Sequence, residues 1–242
     1  MSPSQKHRGR HPADSELFDE SALAELRAAA GDLAWLLGRS YQERSALKLV
    51  GDRYQLRGRQ REALSRAAAS DAQVAERRGR RIEAVDGGGR PLVVDALNCL
   101  ITVEAAIAGG LILVGLDGAW RDLASVHGTW RRVAETDKAI ELLGASIAAA
   151  KFSPVTWFVD RPVSNSGRLA ARLRDRAAER GWVWEVETAM SPDREIVAAA
   201  PAAIAATSDS WILDNCSAWV DLPHGAIGGS DIEPWIVDLR SL

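Results

Sequence analysis

The sequence predicts an α/β protein in which a helical N-terminal domain precedes a domain built on a central parallel sheet flanked by helices. Residues 14–85 show helical periodicity and none of the alternation typical of strands. After residue 90, short apolar runs alternate with amphipathic stretches, a pattern typical of strand–helix–strand units. The segment DGGGRP at residues 86–91 lies between them, and its glycines and proline favour a turn. We therefore predict two domains, over residues 1–88 and 89–242.

The composition is that of a globular protein. Of the 242 residues, 47% are hydrophobic and 26% are charged, which excludes a disordered or fibrous chain. No run approaches the roughly 20 apolar residues of a membrane span. Two cysteines cannot form a disulfide framework, so we expect a cytoplasmic protein that does not contact a membrane. The first 90 residues hold 17 Lys and Arg against 13 Asp and Glu, a net positive charge. Such a charge is typical of a domain that binds a polyanion, and the alternative is an ordinary solvated surface.

Three stretches support the helical prediction for the N-terminal domain. Apolar residues recur at spacings of three and four at Leu23, Leu26, Ala30, Leu33 and Leu37. That spacing places them on one face of a helix. A short helix is predicted over residues 45–50 and a longer one over residues 59–78.

The stretch YQLRGRQREALSRAA resembles the second half of a helix-turn-helix. In this resemblance Leu56 closes the turn, and four arginines reach the phosphates of a nucleic acid: Arg57, Arg59, Arg61 and Arg66. The alternative is a basic helical face that meets only solvent.

Apolar runs define the sheet of the second domain. The runs at residues 92–94, 155–159 and 202–206 are apolar enough for strands buried on both faces. Peripheral, edge or late strands are predicted at residues 111–114, 182–186, 219–220 and 235–237. Helices are predicted from Asp122 to Ile147 and over residues 167–180 and 193–199.

Aspartates follow the three buried strands of this predicted sheet. Asp95, Asp160 and Asp209 stand at the strand ends, and Asp193 opens the helix that leads into the last of these strands. Ligands of open parallel sheets bind beyond the carboxyl ends of the strands, and carboxylates gathered there repel one another unless a cation or proton intervenes. The set therefore predicts a site for Mg²⁺ or Mn²⁺, and the alternative is a set of helix N-caps.

Three motifs of the second domain resemble the PIN and NYN-type nucleases. LVVDALNCL is similar to their first strand, FVDRP resembles the second strand of the NYN branch, and SPDREIVAAAPAAIAATSDSWIL looks like their two later aspartates. The resemblance implies a PIN-like fold, in which Asp95, Asp160, Asp193 and Asp209 are the catalytic metal ligands. Many members carry a further aspartate where this sequence has Trp211, which leaves open whether one metal ion or two would bind.

Four stretches that span most of the chain resemble the uncharacterised prokaryotic domain-of-unknown-function family 434. They are RHPADSELF, ERSALKLVGDRYQLRGRQREAL, DLASVHGTWRRVAET and DRPVSNSGRLA. That family has no activity to carry over, so the resemblance supports the domain layout alone.

Four further residues are predicted to bind nucleic acid. Arg161, Asn165 and Arg168 surround the start of a predicted helix, where free backbone N–H groups and the helix dipole favour a phosphate. Asn98 lies one turn after Asp95. The alternative is an ordinary N-cap with solvated arginines beside it.

Two functions remain open at this point. The first is a metal-dependent nuclease that hydrolyses phosphodiesters, with RNA as its substrate and the helical domain positioning it. The second is a non-catalytic nucleic-acid-binding or interaction protein on a degenerate PIN-like scaffold. The four aspartates favour the first function and Trp211 favours the second. The sequence contains neither a GxxxxGKS/T motif nor a GxSxG motif, so it lacks a P-loop and a nucleophile elbow.

Overall fold

Two β-sheets and eleven α-helices occupy residues 7–124 and 128–240, which are the residues that the computed structural model describes. The strands are β1 (Leu92–Asp95), β2 (Leu111–Val114), β3 (Trp120–Asp122), β4 (Val155–Asp160), β5 (Trp184–Ala189), β6 (Ile204–Ala206), β7 (Trp219–Val220) and β8 (Trp235–Asp238). The helices are α1 (Asp14–Leu17), α2 (Glu20–Leu37), α3 (Glu43–Arg53), α4 (Gly58–Ala67), α5 (Asp71–Arg80), α6 (Ala96–Ile107), α7 (Thr136–Ala149), α8 (Ser166–Arg180), α9 (Pro192–Ala199), α10 (Ser210–Asn215) and α11 (Leu222–Gly228).

Five strands form a central parallel sheet in the order β5-β4-β1-β6-β7. In this sheet Asp95 of β1 lies beside Phe158 of β4, and Val94 lies beside Ala206 of β6. The chain moves outward from β1 to β5 and then returns past β1 to form β6, so the strand order reverses between β1 and β6. In open α/β sheets such a reversal leaves a crevice beyond the carboxyl ends of the two strands.

Helices cover both faces of the central sheet. Leu92 and Val94 pack in one buried cluster with residues of α6, α7, α8 and α11. Val93 packs on the opposite face with Ile196 of α9 and Ile212 of α10. Successive side chains of a strand point to opposite faces, so an all-apolar strand requires cover on both. The predicted α/β class, with a parallel sheet flanked by helices and a helical N terminus, is confirmed.

The N-terminal helices cover a second sheet of three strands, in the order β3-β2-β8. β2 pairs antiparallel with β3 and parallel with β8. Leu111 and Leu113 of β2 share a buried apolar cluster with Leu26, Leu33 and Leu64 of α2 and α4. β2, which was predicted to be a peripheral strand, therefore lies in the core between the N-terminal helices and the rest of the chain.

The edges of the central sheet are β5 and β7. The residues that follow α5 lie along β7, because the backbone N–H of Ile82 donates to the carbonyl of Trp219 at 2.9 Å. The indole N–H of Trp219 donates in turn to the carbonyl of Arg77 at 2.7 Å. On β5, the exposed Glu185 and Glu187 lie on either side of the buried Val186.

The segment at the predicted domain boundary is a turn that is hydrogen-bonded to the loop before β4. The N–H of Gly88 donates to the carbonyl of Ala150 at 3.1 Å, and the N–H of Gly89 donates to the carbonyl of Lys151 at 2.8 Å. The φ angles of these glycines are 37° and 83°, a region that L side chains rarely adopt. Separate folding of the two predicted domains stays a prediction.

The long helix that was predicted to start at Asp122 is wrong over its first half. Asp122 ends β3, and α7 begins only at Thr136. Residues 128–135 make long-range contacts instead, and the backbone N–H of Trp130 donates to the carbonyl of Ser164 at 3.0 Å. The apolar side chains of this stretch are buried by such contacts, so their helical spacing does not correspond to a helix.

The single helix that was predicted over residues 59–78 is in fact two helices. α4 ends at Ala67, and α5 begins at Asp71. Ser70 starts the second helix with a capping box: its hydroxyl accepts from the N–H of Gln73 at 3.3 Å, and the Gln73 side chain accepts from the N–H of Ser70 at 3.1 Å. No α-helix of the described ranges is both long and apolar enough to cross a membrane.

Candidate functional site

Asp95 ends β1 at the crevice and begins α6. One carboxylate oxygen accepts from the backbone N–H of Asn98 at 3.3 Å, in the position of an N-cap. The other oxygen accepts from the hydroxyl of Thr207, which follows β6, at 2.9 Å. The buried Asp95 side chain is therefore held in one orientation by both strands that border the crevice.

The segment after β6 is fixed against the same helix. The hydroxyl oxygen of Thr207 accepts from the backbone N–H of Asp209 at 3.0 Å. The amide oxygen of Asn98 accepts from the backbone N–H and the hydroxyl of Ser208, at 2.8 and 2.9 Å. Asp95 and Asp209, which the sequence placed at the same edge of the sheet, are thus joined through Thr207.

Electrostatic effects link all four predicted aspartates. Burial raises the pKa of Asp95 to about 8, and the negative charges of Asp160 and Asp209 raise it as well. The pKa of Asp160, at the end of β4, is raised by burial and by the charges of Asp193 and Asp209. The pKa of Asp193, in the first turn of α9, is raised by burial and by the charge of Asp209. The four side chains therefore form one cluster of mutually repelling carboxylates, here called the aspartate cluster.

No basic side chain of the described residues forms an ion pair with the aspartate cluster. Other buried or half-buried carboxylates of this chain, such as Asp14, Asp117 and Asp137, are each paired with arginine. Unpaired carboxylate oxygens are the donors that Mg²⁺ and Mn²⁺ prefer, so the donor chemistry fits such an ion. In the part of the chain that the structure describes, however, no three carboxylate, histidine or cysteine side chains converge on one point closely enough to hold a metal ion. A complete ligand set would require some of these side chains to rotate toward a common point.

Trp211 and Asp214 do not add a carboxylate to the aspartate cluster. Asp209 caps α10 and accepts from the N–H groups of Trp211 at 2.9 Å and Ile212 at 3.1 Å. The Trp211 side chain is 48% exposed. Asp214 instead accepts from Nε of Arg77 at 2.6 Å, so its charge stabilises the contact between α10 and α5.

A cavity of about 240 Å³ opens beside Asp209. Its lining is polar and comes from α4, α6, β3 and the segment after β6: Ser65, Arg66, Asn98, Arg121, Asp122, Ser208, Asp209 and Ser210. The Arg66 guanidinium donates to the carbonyl of Asp122 at 2.7 Å and to the Glu62 carboxylate at 2.9 Å. The Arg66 guanidinium, which also lies 3.7 Å from the Asp122 carboxylate, therefore lines the same cavity as Asp209.

Arg121 connects this cavity to a buried ion network. Its Nε donates to the carbonyl of Ser208 at 2.9 Å, and its two terminal nitrogens donate to Asp117 at 2.8 and 2.7 Å. Arg77 of α5 donates to the same carboxylate at 2.9 Å. Burial alone would raise the pKa of Asp117, but the charges and hydrogen bonds of the two arginines lower it to about 2.

Sequence reasoning missed two residues that organise the site, Thr207 and Arg121. Their partners lie 112 and 87 residues away, at Asp95 and Ser208. In the sequence, polar residues follow the predicted strand of small residues at 202–206. They indicated that the strand ends there, but they did not indicate which residue Thr207 contacts.

The residues predicted to bind phosphate after β4 lie at the start of α8, as expected. Asn165 has a left-handed φ of 68°, and its side-chain N–H donates to the carbonyl of Trp130 at 3.0 Å. Its side chain therefore does not cap the helix. Arg161 and Arg168 are exposed, and neither forms an ion pair with a described residue.

Three of the four arginines of the predicted helix-turn-helix have different surroundings. Arg59 is paired with the buried Asp14, and Arg61 donates to Asp52 at 2.9 Å. Arg57 is exposed at the N-cap of α4. α4 itself packs on β2 through its buried face. Contact of these arginines with phosphates stays a prediction.

Comparisons with known proteins identify relatives without an assigned activity. A family model described as "Domain of unknown function (DUF5616)" matches residues 85–225, and one described as "Protein of unknown function (DUF434)" matches residues 25–80. The second match confirms the resemblance to family 434 for the helical segment. An uncharacterised protein of Methanocaldococcus jannaschii is 30% identical over 204 residues, which cover 84% of this chain and 96% of that protein. No solved structure matches the chain.

Proposed function

The chain belongs to the family described as "Domain of unknown function (DUF5616)", and we propose that it is a divalent-cation-dependent nuclease that acts on RNA. We also propose that the central sheet is a PIN-like scaffold, on the resemblance of its three aspartate motifs to PIN and NYN-type nucleases. RNA is the proposed substrate because the second of these motifs resembles the NYN branch.

The aspartate cluster is the observation that carries this proposal. Three of its members, Asp95, Asp160 and Asp209, stand at the carboxyl ends of neighbouring strands or just beyond them, beside the reversal of strand order. Ligands of open α/β sheets bind at that point. Carboxylates that repel one another and have no basic partner gain most from a divalent cation, which removes the repulsion.

The chain's own residues would position the reacting groups. Thr207 and the N–H of Asn98 orient the Asp95 carboxylate, and Asn98 fixes the backbone before Asp209. Arg66, in the cavity beside Asp209, would neutralise a phosphate oxygen of the bound strand. A divalent cation held by Asp95, Asp160, Asp193 and Asp209 would supply charge neutralisation at the scissile phosphodiester.

A non-catalytic nucleic-acid-binding protein is the second candidate. It is favoured by the lack of three converging metal-ligand side chains among the described residues, and by Trp211 in place of a further carboxylate. On this alternative the arginines bind the strand and the aspartate cluster has no catalytic role.

A cleavage assay separates the two candidates. Purified protein is incubated with pooled 5′-labelled RNAs in Mn²⁺, with EDTA as the metal-free condition, and the products are sized on a gel. We expect cleavage by the wild type that EDTA abolishes, and a loss on the order of 100-fold or more for Asp209→Asn, because one charged group at the reacting centre is removed. Asp231→Asn is the matched control, since Asp231 is 88% exposed and its carboxylate contacts only Lys138 at 3.6 Å in the described residues. RNA binding without Mn²⁺-dependent cleavage would support the second candidate.

A further inference from the structure

A second cleft, of about 330 Å³, lies beside the start of α8. It is lined by an indole, an amide and four guanidinium groups: Trp130, Arg131, Arg132, Asn165, Arg168 and Arg172. Residues 161–165 lead from Asp160, at the end of β4, to α8, so Asp160 and the start of α8 both lie on the carboxyl side of the central sheet.

Two of the four arginines share one carboxylate, that of Asp137. Asp137 accepts from Arg132 at 2.6 Å and from Nε of Arg172 at 2.7 Å. Arg131 and Arg168 form no ion pair or side-chain hydrogen bond with any residue that the structure describes. The cleft therefore has an excess of positive charge, and the two exposed guanidinium groups are available to a ligand.

The indole of Trp130 supplies an independent observation. Trp130 is 3% exposed, and its Nε1 has no acceptor among the described atoms. Its backbone is fixed on both sides, because its N–H donates to Ser164 and its carbonyl accepts from Asn165, each at 3.0 Å. Buried N–H groups without an acceptor are uncommon and unfavourable, so an acceptor oxygen that reached this N–H from the cleft would be favoured.

The start of α8 adds a third favourable feature. The helix has 15 residues, and its N-cap residue, Asn165, makes no side-chain capping bond. The N–H groups of Ser166 and Arg168 donate to the carbonyls of Val163 and Asn165 at 3.1 and 3.0 Å, so Gly167 supplies the remaining N–H among the first three residues of the helix. Together with the helix dipole, this N–H favours an anion.

We propose that this cleft binds a phosphate group of the RNA substrate through Arg131, Arg168 and the indole N–H of Trp130. This inference rests on the proposed function for the identity of the strand, and it assigns a fixed phosphate position beside the Asp160 end of the aspartate cluster. The phosphate comes either from the terminal monoester of a strand or from a backbone phosphodiester. Both present anionic oxygens to the guanidinium groups, which bind such oxygens in a bidentate manner.

The test measures RNA binding in EDTA, where cleavage does not interfere. Fluorescent 12-nucleotide RNAs with a 5′-phosphate or a 5′-hydroxyl are titrated with wild type and with the double variant Arg131→Gln/Arg168→Gln at several salt concentrations. The matched control is Arg176→Gln/Arg180→Gln, which also removes two positive charges, both of them paired with Glu141 in the native structure. We expect the first variant to lose affinity about tenfold or more and its salt slope to fall by about 0.7, the value for one phosphate on a single strand.

The indole is tested by Trp130→Phe, which keeps an aromatic ring and removes the N–H. We expect this variant to bind RNA about fivefold more weakly, the loss typical of one hydrogen bond. Without RNA its melting temperature should be equal or higher, because an unsatisfied buried donor is gone. A merely structural role for Trp130 predicts the opposite, a lower melting temperature and unchanged RNA affinity.

The RNA ends and inorganic phosphate identify the source of the ligand. If the double variant loses affinity only for 5′-phosphorylated RNA, the bound group is the terminal monoester. If it loses affinity equally for both RNAs, the bound group is a backbone phosphodiester. Inorganic phosphate at tenfold its dissociation constant should raise the melting temperature of the wild type by about 2–4 °C and leave that of the double variant unchanged.

Three results would overturn the proposal. The first is equal RNA affinity of the double variant and its matched control. The second is a loss of affinity of the double variant for an acidic peptide that equals its loss of affinity for RNA, which would show that the cleft binds polyanions in general. The third is a phosphate-induced rise in melting temperature that survives the double substitution. Absence of RNA cleavage with intact phosphate binding would instead contradict only the nuclease function.

Discussion

The buried ion network around Asp117 should be a main determinant of stability and of the geometry of the segment before Asp209. Asp117 is 1% exposed and accepts hydrogen bonds from Arg77, from Arg121 and from the backbone N–H of Ala119. Asp117→Asn keeps the size of the side chain and removes its charge. It leaves Arg121 with backbone carbonyls as its remaining acceptors, whereas Arg77 keeps Asp214.

The expected loss of stability follows from the pKa of Asp117. Folding lowers this pKa from 3.8 to about 2, and each pKa unit corresponds to about 1.4 kcal/mol, so ionised Asp117 stabilises the fold by about 2–3 kcal/mol at neutral pH. Breaking a buried ion pair by removal of one partner typically costs about 3–5 kcal/mol. Because both arginines keep other acceptors, we expect Asp117→Asn to lower the free energy of unfolding by about 2–3 kcal/mol.

The pH dependence provides a second check. A carboxyl group whose pKa is lowered by folding stabilises the native state above its unfolded pKa, and this contribution disappears as the pH falls through the folded value. The difference between wild type and Asp117→Asn should therefore be constant from pH 5 to pH 8. At pH 3 it should be smaller by about 1 kcal/mol, since Asp117 is then partly protonated in the unfolded chain only.

Urea unfolding followed by circular dichroism measures both effects. Wild type, Asp117→Asn and the exposed control Asp231→Asn are compared at pH 3, 6 and 8, and the control should lie within about 0.5 kcal/mol of the wild type. The reasoning is refuted if Asp117→Asn is as stable as the wild type at pH 6, or if their difference is the same at pH 3 and pH 6.

Three further changes test other parts of the structure. Asp95→Asn should be more stable than the wild type at pH 7 in EDTA, because burial and the neighbouring carboxylates keep the Asp95 carboxyl largely protonated in the folded state, whereas it is ionised in the unfolded chain, and asparagine keeps the N-cap without this cost; Mn²⁺ should raise the melting temperature of the wild type and not that of this variant, and unfolding of the variant in EDTA would contradict the interpretation. Gly144→Ala should lower the melting temperature, at a cost of about 1–3 kcal/mol, because the new Cβ would lie 2.1 Å from the ring of Trp182. Ser70→Ala should lose about 1 kcal/mol in urea unfolding through loss of the α5 cap, and Ser70→Asn should restore most of it.

The sequence was sufficient to predict a central parallel sheet and to place Asp95, Asp160 and Asp209 at the ends of its strands. The three inner strands β1, β4 and β6 are largely apolar on both faces, and this property belongs to each strand alone, so they were predictable without knowledge of their neighbours. The rule for strand ends then placed Asp95 and Asp209 at one edge, where Thr207 joins them.

The parts that sequence reasoning missed depend on long-range contacts. Residues 128–135 have apolar side chains at helical spacing, but pairing with the segment after β4 buries them without a helix. β2 is as apolar as a central strand, and nothing within it indicates that it belongs to a second sheet under the N-terminal helices. The same holds for Arg121, whose sequence neighbours do not indicate that it would support the backbone at Ser208.

The way in which the edges of the central sheet are covered affects how the protein behaves at high concentration. An uncovered edge strand presents free N–H and carbonyl groups to which another chain can add, and this is a common route to aggregation. Here Ile82 covers part of β7, while Glu185 and Glu187 place like charges along β5. Two copies that approached through β5 would bring these charges together. Replacing both glutamates by threonine would keep the strand and remove that repulsion, and the variant should form insoluble aggregates at concentrations where the wild type remains in solution.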